Sequence, residues 1–352
     1  MGGTKSMSLT STESVRTRKN EYARPTAAAP KQLQLALFGF GVVGTGVWKI
    51  VEAKRDEFRE RFGTDLEIAG ICVRDLDKER EIVVRPELLT NNIDELLGDE
   101  SIDVVLELIG GRFEAEALID RALRSRKHVI TANKLVLAHE LPRLRSVADR
   151  SGVNLFYSAS VCGSVPVLRA LDELKVGDTI TGITGIVNGS TNFILTMMNE
   201  QRVSYADSMA EARRRGFLEA DPTLDVSGAD AAQKLSVLCY HAFGVHVPPH
   251  EISTSGIEQI TTDDFIRANA SGKTIKLLAN ATRDAATGKI HAAVRPELVP
   301  LTHLFAQTRD EFNALEIETA HAGPQVLYGK GAGSLPTASA VVSDLIELLK
   351  EE

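Results

Sequence analysis

The chain has 352 residues, 43% of them hydrophobic and 25% charged, with a net charge of −8 at neutral pH. That length leaves room for two or three lobes around a large core. An acidic balance with scattered Lys and Arg argues against nucleic acid as a partner, and no apolar run approaches the ~20 residues of a membrane span.

Residues 1–32 are polar, rich in Ser, Thr and Ala, and lack an apolar period, so they read as a disordered tail. A myristoylation pattern on Gly2 and Ser6 and a transit-peptide reading are the minor alternatives. Cys72, Cys162 and Cys239 sit in apolar contexts without metal-type spacing, which suits buried thiols in a reducing, cytoplasmic setting.

From residue 33, LQLALFGFGVVGTGVWKIV reads as an apolar strand, a glycine turn and a helix. GxGxxG falls on Gly39, Gly41 and Gly44, with Phe40, Val42 and Val43 between them. Such glycines make a tight turn, let backbone approach a pyrophosphate, and pack helix on strand, while the helix N-terminus faces the phosphates. A second strand follows at 66–73, and its tip, Val73-Arg74-Asp75, carries both an arginine and an acid. Because Arg74 comes first, NADP(H) is favoured over NAD(H). Apolar strands at 102–109 (ending in Gly110), 128–132 and 153–159 alternate with helical stretches such as EAEALIDRALRS. That rhythm predicts a Rossmann-type, doubly wound parallel sheet in an α/β protein.

After residue 160 the rhythm changes. A strand at 180–187 turns at Asn188-Gly189-Ser190 into a helix; the turn either offers backbone N–H groups to an anion or is a plain N-cap by Ser190 or Thr191. Next comes GFLEADPTLDVSGADAAQK, with Glu219, Asp221, Asp225 and Asp230 ahead of Lys234. Pro222 breaks the incoming helix, 219–228 reads as loop, and a new helix starts near 228–230 with Asp230 and Lys234 on one face. A calcium loop fails on spacing, and a solvated patch fits poorly beside the apolar run that follows. The stretch therefore predicts a polar pocket whose carboxylates hold an ammonium and whose lysine faces an oxygen gaining charge. Farther on, 263–280 is read as helix, three strands fall within 289–329, and a glycine turn at 329–333 leads to a final amphipathic helix.

GFGVVG, ELIGG, TANK (131–134), ASVCGSVP, GIVNGSTNFIL, the acidic stretch and GKGAGSLPTASAVVSDL occur in this order. In these motifs the chain, over about residues 33–350, resembles the homoserine dehydrogenases. The resemblance implies NAD(P)-linked interconversion of L-aspartate 4-semialdehyde and L-homoserine, on the route to threonine and methionine. It makes Lys134 and Lys234 the active-site lysines, with Lys134 also beside the cofactor and Lys234 in the proton-transfer role. Glu219, Asp225 and Asp230 match substrate-pocket acids, and Gly189-Ser190 match the substrate turn. It also implies a monovalent cation, Na+ or K+, on backbone oxygens of Val161, Gly163 and Val165, although Ser158 stands where many relatives have an acid. The implied layout is a dinucleotide-binding domain (33–156 with 329–352) and an α+β catalytic and dimerisation domain (157–328), paired as a homodimer. The resemblance is to the short form, without a C-terminal regulatory domain, so threonine feedback through one is not expected.

The chemistry fits. Homoserine's ammonium needs an acceptor such as Glu219, and its carboxylate needs donors such as the Gly189-Ser190 turn. A lysine amine, with an ordinary pKa of about 10.4, is charged at neutral pH and can protonate the reduced oxygen. As a base for oxidation it must first lose that proton, so alkaline pH is expected to favour homoserine oxidation. The alternatives are another NAD(P)-linked reductase of a small amino-acid aldehyde or imine, and a nucleotide-binding regulator that has lost catalysis.

Overall fold

The computed structural model describes residues 30–218 and 221–351. Most of the tail reading lies outside them; its end differs, because β1 (Lys31–Phe38) already includes Lys31 and Gln32. β1, α1 (Val42–Ala53), α2 (Arg55–Phe62) and β2 (Thr64–Cys72) form the first crossover. β3 (Leu89–Thr90), α3 (Ile93–Gly98), β4 (Val104–Glu107), α4 (Phe113–Arg124), β5 (His128–Thr131), α5 (Lys134–Ser151) and β6 (Leu155–Phe156) continue the alternation. These strands pair in parallel in the order β3-β2-β1-β4-β5-β6. Leu35, Leu37, Val104, Val105, Val129 and Ile130 are fully buried on both faces, which is why helices must cover each side. The strand order reverses between β1 and β4, and in such sheets that point opens a crevice at the carboxyl ends.

The chain goes on through α6 (Val167–Gly177), β7 (Ile180–Ile186), α7 (Gly189–Glu200), α8 (Tyr205–Arg214), α9 (Thr223–Val226) and α10 (Ala229–Phe243). Then come β8 (Ser253–Thr254), α11 (Thr262–Ala270), β9 (Lys273–Arg283), β10 (Ile290–Pro300), α12 (Leu304–Gln307), β11 (Phe312–Thr319) and β12 (Gln325–Lys330). The second sheet runs β12-β11-β7-β9-β10-β8 and is antiparallel except where β8 lies beside β10. Finally α13 (Ser334–Glu351) returns to pack on α1 of the first sheet. Gly46 permits that approach, since a Cβ there would lie 2.8 Å from the Ala338 Cβ. The two halves also meet where α5 packs on α10, with the Ser236 hydroxyl donating to the Ala138 carbonyl at 3.1 Å.

Four sequence readings change. The helix expected over 263–280 ends at Ala270; Gly272 turns the chain at φ +72°, and β9 follows. Residues 274–279 are buried on both faces of the sheet, so they lose the alternation that marks a strand. The loop expected over 219–228 contains one helical turn, α9, entered behind Pro222, a residue tolerated at helix starts. The strand expected over 153–159 shrinks to β6 and gives way to a tight turn at Ser158–Ser160. Residues 329 and 330 complete β12, so the return to the first sheet begins after them.

Candidate active site

The glycine turn shows three different needs. A Cβ on Gly39, where φ is +99°, would meet the Leu108 carbonyl oxygen at 2.6 Å, and one on Gly44 would meet the Gly39 oxygen at 2.4 Å. A Cβ on Gly41 would point into open space, which is the side left for a ligand. Phe40 is buried and packs edge-on against Trp48, Val42 is exposed, and Val43 is half-buried. α1 has no side-chain cap, so its first N–H groups remain for an anion. These features fit a dinucleotide pyrophosphate.

At the tip of β2, the Asp75 carboxylate accepts the N–H groups of Asp77 and Lys78 at 3.0 and 3.2 Å and so closes its own turn. Arg74 beside it is exposed. It lies across β1 from the lysines described next, at the other end of the crevice.

Loops after β1, β4 and β5 are stitched together. Leu108 donates from its backbone to Phe38 at 2.8 Å, and the Asn133 amide donates to the Ile109 and Gly111 carbonyls at 3.2 and 2.8 Å. Asn133 also caps α5 by accepting the Val136 N–H at 3.2 Å, which sets Lys134 at the first helical position. Gly110, next to this contact, is exposed.

From there Lys134 reaches across the cleft. Its Nζ lies 3.2 Å from Asp230 Oδ1, and the Lys234 Nζ lies 2.8 Å from Oδ2 of the same carboxylate. Lys234 also donates to the Val187 carbonyl at 2.7 Å. Asn188 completes the group: its amide nitrogen donates to Asp225 at 2.7 Å and to Asp230 at 2.8 Å, while its oxygen accepts the Thr191 N–H at 2.8 Å. α10 begins at Ala229 behind Gly228, whose φ of +82° lets the chain turn sharply into the pocket.

Burial and charge oppose each other here. Burial alone would raise the Asp230 carboxyl, but Lys234 and Lys134 outweigh it and hold the group well below the usual carboxylate range. Burial alone would lower the Lys234 amine, but Asp230 outweighs that and raises it. Burial raises the Asp225 carboxyl; among the described residues its side chain has only the Asn188 amide as a hydrogen-bond partner, and the Asp230 charge pushes it the same way as burial. The result is an anion clamped by two ammonium groups, one of them, Lys134, partly open to solvent with a side chain 37% exposed.

The acidic stretch divides. Asp225 and Asp230 point inward, whereas Asp221 is exposed and accepts from Thr223. Glu219 lies outside the described residues. Gly189 and Ser190 open α7, but the cap is Asn188 rather than Ser190 or Thr191. The Ser190 hydroxyl is turned away to the Phe217 carbonyl at 2.6 Å, leaving the two backbone N–H groups at the helix start. Gly189 is needed because a Cβ would sit 2.6 Å from the Glu311 oxygen. Sequence reasoning missed Asn188 as a hub; its place before an N-terminal helix turn signals a cap, not the bridge between two acids.

Val161, Gly163 and Val165 lie between the Ser158–Ser160 turn and α6. Cys162 and Gly163 both have positive φ (+57° and +55°), and a Cβ on Gly163 would meet the Gly331 carbonyl at 2.7 Å. The Val165 oxygen accepts the Val167 N–H at 2.7 Å. Ser158 donates its N–H to the buried Asp344 at 2.9 Å, and burial pushes that carboxyl up to about 6. Packing against Asn313 and Gly163 explains why residue 331 is glycine. A cavity of about 610 Å³ lies toward the far ends of α5 and α10, lined by Arg145, Tyr157, Asp172, Lys175 and His241; Ser158 borders it, but the two lysines, Asp225, Asp230 and the glycine turn do not.

Comparison with known proteins places both halves. A family model for "Homoserine dehydrogenase" matches residues 166–346, and one for "Homoserine dehydrogenase, NAD binding domain" matches residues 39–158. The homoserine dehydrogenase of Bacillus subtilis is 40% identical over 91% of this chain and 73% of its own length. The solved structure of the Thiobacillus denitrificans homoserine dehydrogenase superposes with a TM-score of 0.85 at 37% identity, over 91% of this chain and 74% of that one. A hyperthermophilic archaeal homoserine dehydrogenase solved in complex with NADPH superposes with a TM-score of 0.75 at 26% identity, over 91% and 98%.

Proposed function

The chain belongs to the homoserine dehydrogenase family, an NAD(P)-dependent oxidoreductase of L-aspartate 4-semialdehyde and L-homoserine, and from that premise we propose how its cleft divides the work. When bound, the nicotinamide cofactor supplies the hydride to the C4 carbon of the aldehyde. Lys234 and Lys134 present ammonium protons to the C4 oxygen as negative charge develops there. One proton passes to that oxygen to form the alcohol, and the neutral amine is recharged from solvent through the exposed side of Lys134. Asp230 holds the Lys234 amine charged and draws both amines to one point; that shared carboxylate is the observation carrying the reading. The N–H groups of Gly189 and Ser190 take the substrate carboxylate, and Asp225, with Glu219 by the family resemblance, is the acceptor for its ammonium.

NADP(H) is the cofactor we infer. Asp75 spends its carboxylate on its own turn, which leaves the exposed Arg74 to pair with a 2′-phosphate. The archaeal relative solved with NADPH supports this choice. For a monovalent cation, Na+ or K+, the supporting feature is Asn313: its buried amide has no hydrogen-bond partner among the described residues and lies across Gly331 from Gly163. Oxygens of Val161 and Gly163 would hold the ion, with Val165 weaker because its carbonyl is already engaged.

We assign β1 to β6 with α13 to nucleotide binding and the remainder to catalysis and dimerisation. Leu298, Val326 and Tyr328 expose 56%, 41% and 51% of their surface on β10 and β12, which supports pairing through the second sheet. Three buried free thiols suit the cytoplasm. The test is a steady-state assay of NADPH and NADH oxidation with aspartate semialdehyde, with homoserine identified as product, for wild type and Arg74→Ala. A preference for NADPH that Arg74→Ala abolishes supports the reading. An unchanged cofactor ratio in that variant would remove Arg74 from it.

A further inference from the structure

Glu107, the last residue of β4, is 0% exposed yet belongs to none of the roles above. Its Oε1 accepts the Ile109 N–H at 3.0 Å, and its Oε2 accepts the Thr131 hydroxyl in a short hydrogen bond. The same hydroxyl accepts the Asn133 N–H at 2.9 Å. Among the described residues no cation compensates the carboxyl; burial raises it to about 7 against the pull of those donors. A strand end needs no acid for packing, and an uncompensated carboxylate is costly to bury, so the group needs another reason to be there.

Its partners supply that reason. Ile109 opens the loop after β4, and Thr131 opens the turn after β5 that delivers Lys134. Each oxygen of Glu107 holds one of these loops, and Asn133 bridges the same two by its amide. We propose that Glu107 is a positioning residue for Lys134, fixing the 131–134 turn through the Thr131 hydroxyl so that the amine meets Asp230 in one place. This rests on the proton-transfer role given to Lys134 above. Without the clamp, Lys134 keeps its helix but loses its fixed origin, and the loss falls on turnover rather than on binding.

The variants that test it are Glu107→Gln, Thr131→Val and the pair together. Glutamine has the same shape, but its amide would donate to the Thr131 oxygen, which already accepts from Asn133, and the hydroxyl proton would lose its acceptor. Turnover of aspartate semialdehyde in each single variant is expected to fall on the order of tenfold to a hundredfold, the size of a roughly 1 Å misplacement. KM for the semialdehyde, NADPH binding followed by fluorescence, and melting temperature are expected to stay close to wild type. The double variant is expected to be no worse than either single, because both break one relay. Wild-type turnover in Glu107→Gln or multiplicative losses in the double variant would each overturn the proposal; if Glu107→Gln does not fold, Thr131→Val carries the test, and wild-type turnover or a loss matched by unfolding in that variant would overturn it. Lys134→Ala is run beside them. If it turns over normally, the reading of Lys134 falls and takes the proposal with it; if it is inactive while Glu107→Gln is unaffected, only the proposal falls.

Discussion

Asp230 is the residue on which the pocket's charge balance turns. Replacing it with asparagine leaves the largely buried Lys234 without its anion, a change that for a fully buried pair typically costs about 3–5 kcal/mol. Chemical denaturation of Asp230→Asn should show a loss of that order at neutral pH. The pH signs follow from the shifts. Lys234 is raised, so its contribution is present below the ordinary lysine pKa and is lost as pH rises through its higher folded value. Asp230 is depressed, so its contribution is present above the ordinary aspartate pKa and is lost as pH falls through its lower folded value. The pair is therefore intact across the neutral range, and homoserine oxidation, which needs a neutral amine, should accelerate toward alkaline pH. A rate unchanged between neutral and alkaline buffers would contradict this. Glu107 behaves in the opposite sense: raised to about 7, it keeps in the folded state a proton that the unfolded chain has already released. Stability should therefore fall as pH climbs from the ordinary glutamate pKa toward 7 and then level off. That slope should be weaker in Glu107→Gln, measured by urea unfolding at several pH values. Asp230, Lys234 and the pocket they form could be read from an acidic run lying against apolar sequence. Glu107 and Asn188 could not, because their partners sit on other loops and only the folded chain brings them together.

Among the elements, the turn between β1 and α1 makes the sharpest demand on sequence. Gly44→Val would drive a side chain into the Gly39 carbonyl, 2.4 Å from where a Cβ would stand, and push α1 off the strand. NADPH affinity, measured by fluorescence titration, should weaken by on the order of tenfold or more, the equivalent of about 1.4 kcal/mol. Affinity equal to wild type would mean that the pyrophosphate does not use this turn. That turn was legible because glycine spacing, strand and helix signals all agree within twenty residues or so. β9 was not. Its apolar run is continuous because neighbouring strands and helices cover both faces, and periodicity alone cannot separate such a strand from a buried helix. Gly272 was the available signal, a left-handed stop between α11 and β9. β6 was overread for a related reason: Tyr157 and Ala159 are buried, but by packing around a turn rather than by strand pairing.

The whole molecule depends on its C-terminal helix returning to its first sheet. Val341, Leu345 and Leu348 of α13 are fully buried against the α1 side of that sheet. Each such side chain contributes about 1.5–3 kcal/mol when buried. Removing residues 334–352 should thus cost a large share of a total stability of about 5–15 kcal/mol. The truncated chain should melt well below the full chain and lose NADPH binding, as calorimetry and titration would show. Retained binding would mean that the first sheet folds without α13. The same return closes a circuit. The glycine turn touches the loop after β4, that loop holds Asn133, Asn133 caps the helix of Lys134, and Lys134 meets Asp230 and Lys234 on the other half.

That circuit is most directly tested by turnover of aspartate semialdehyde with saturating NADPH in Lys234→Ala beside wild type. Turnover should fall at least about a hundredfold, the scale of a lost general acid, with NADPH binding retained. Turnover at the wild-type rate would contradict the placement of the proton donor on this pair of lysines.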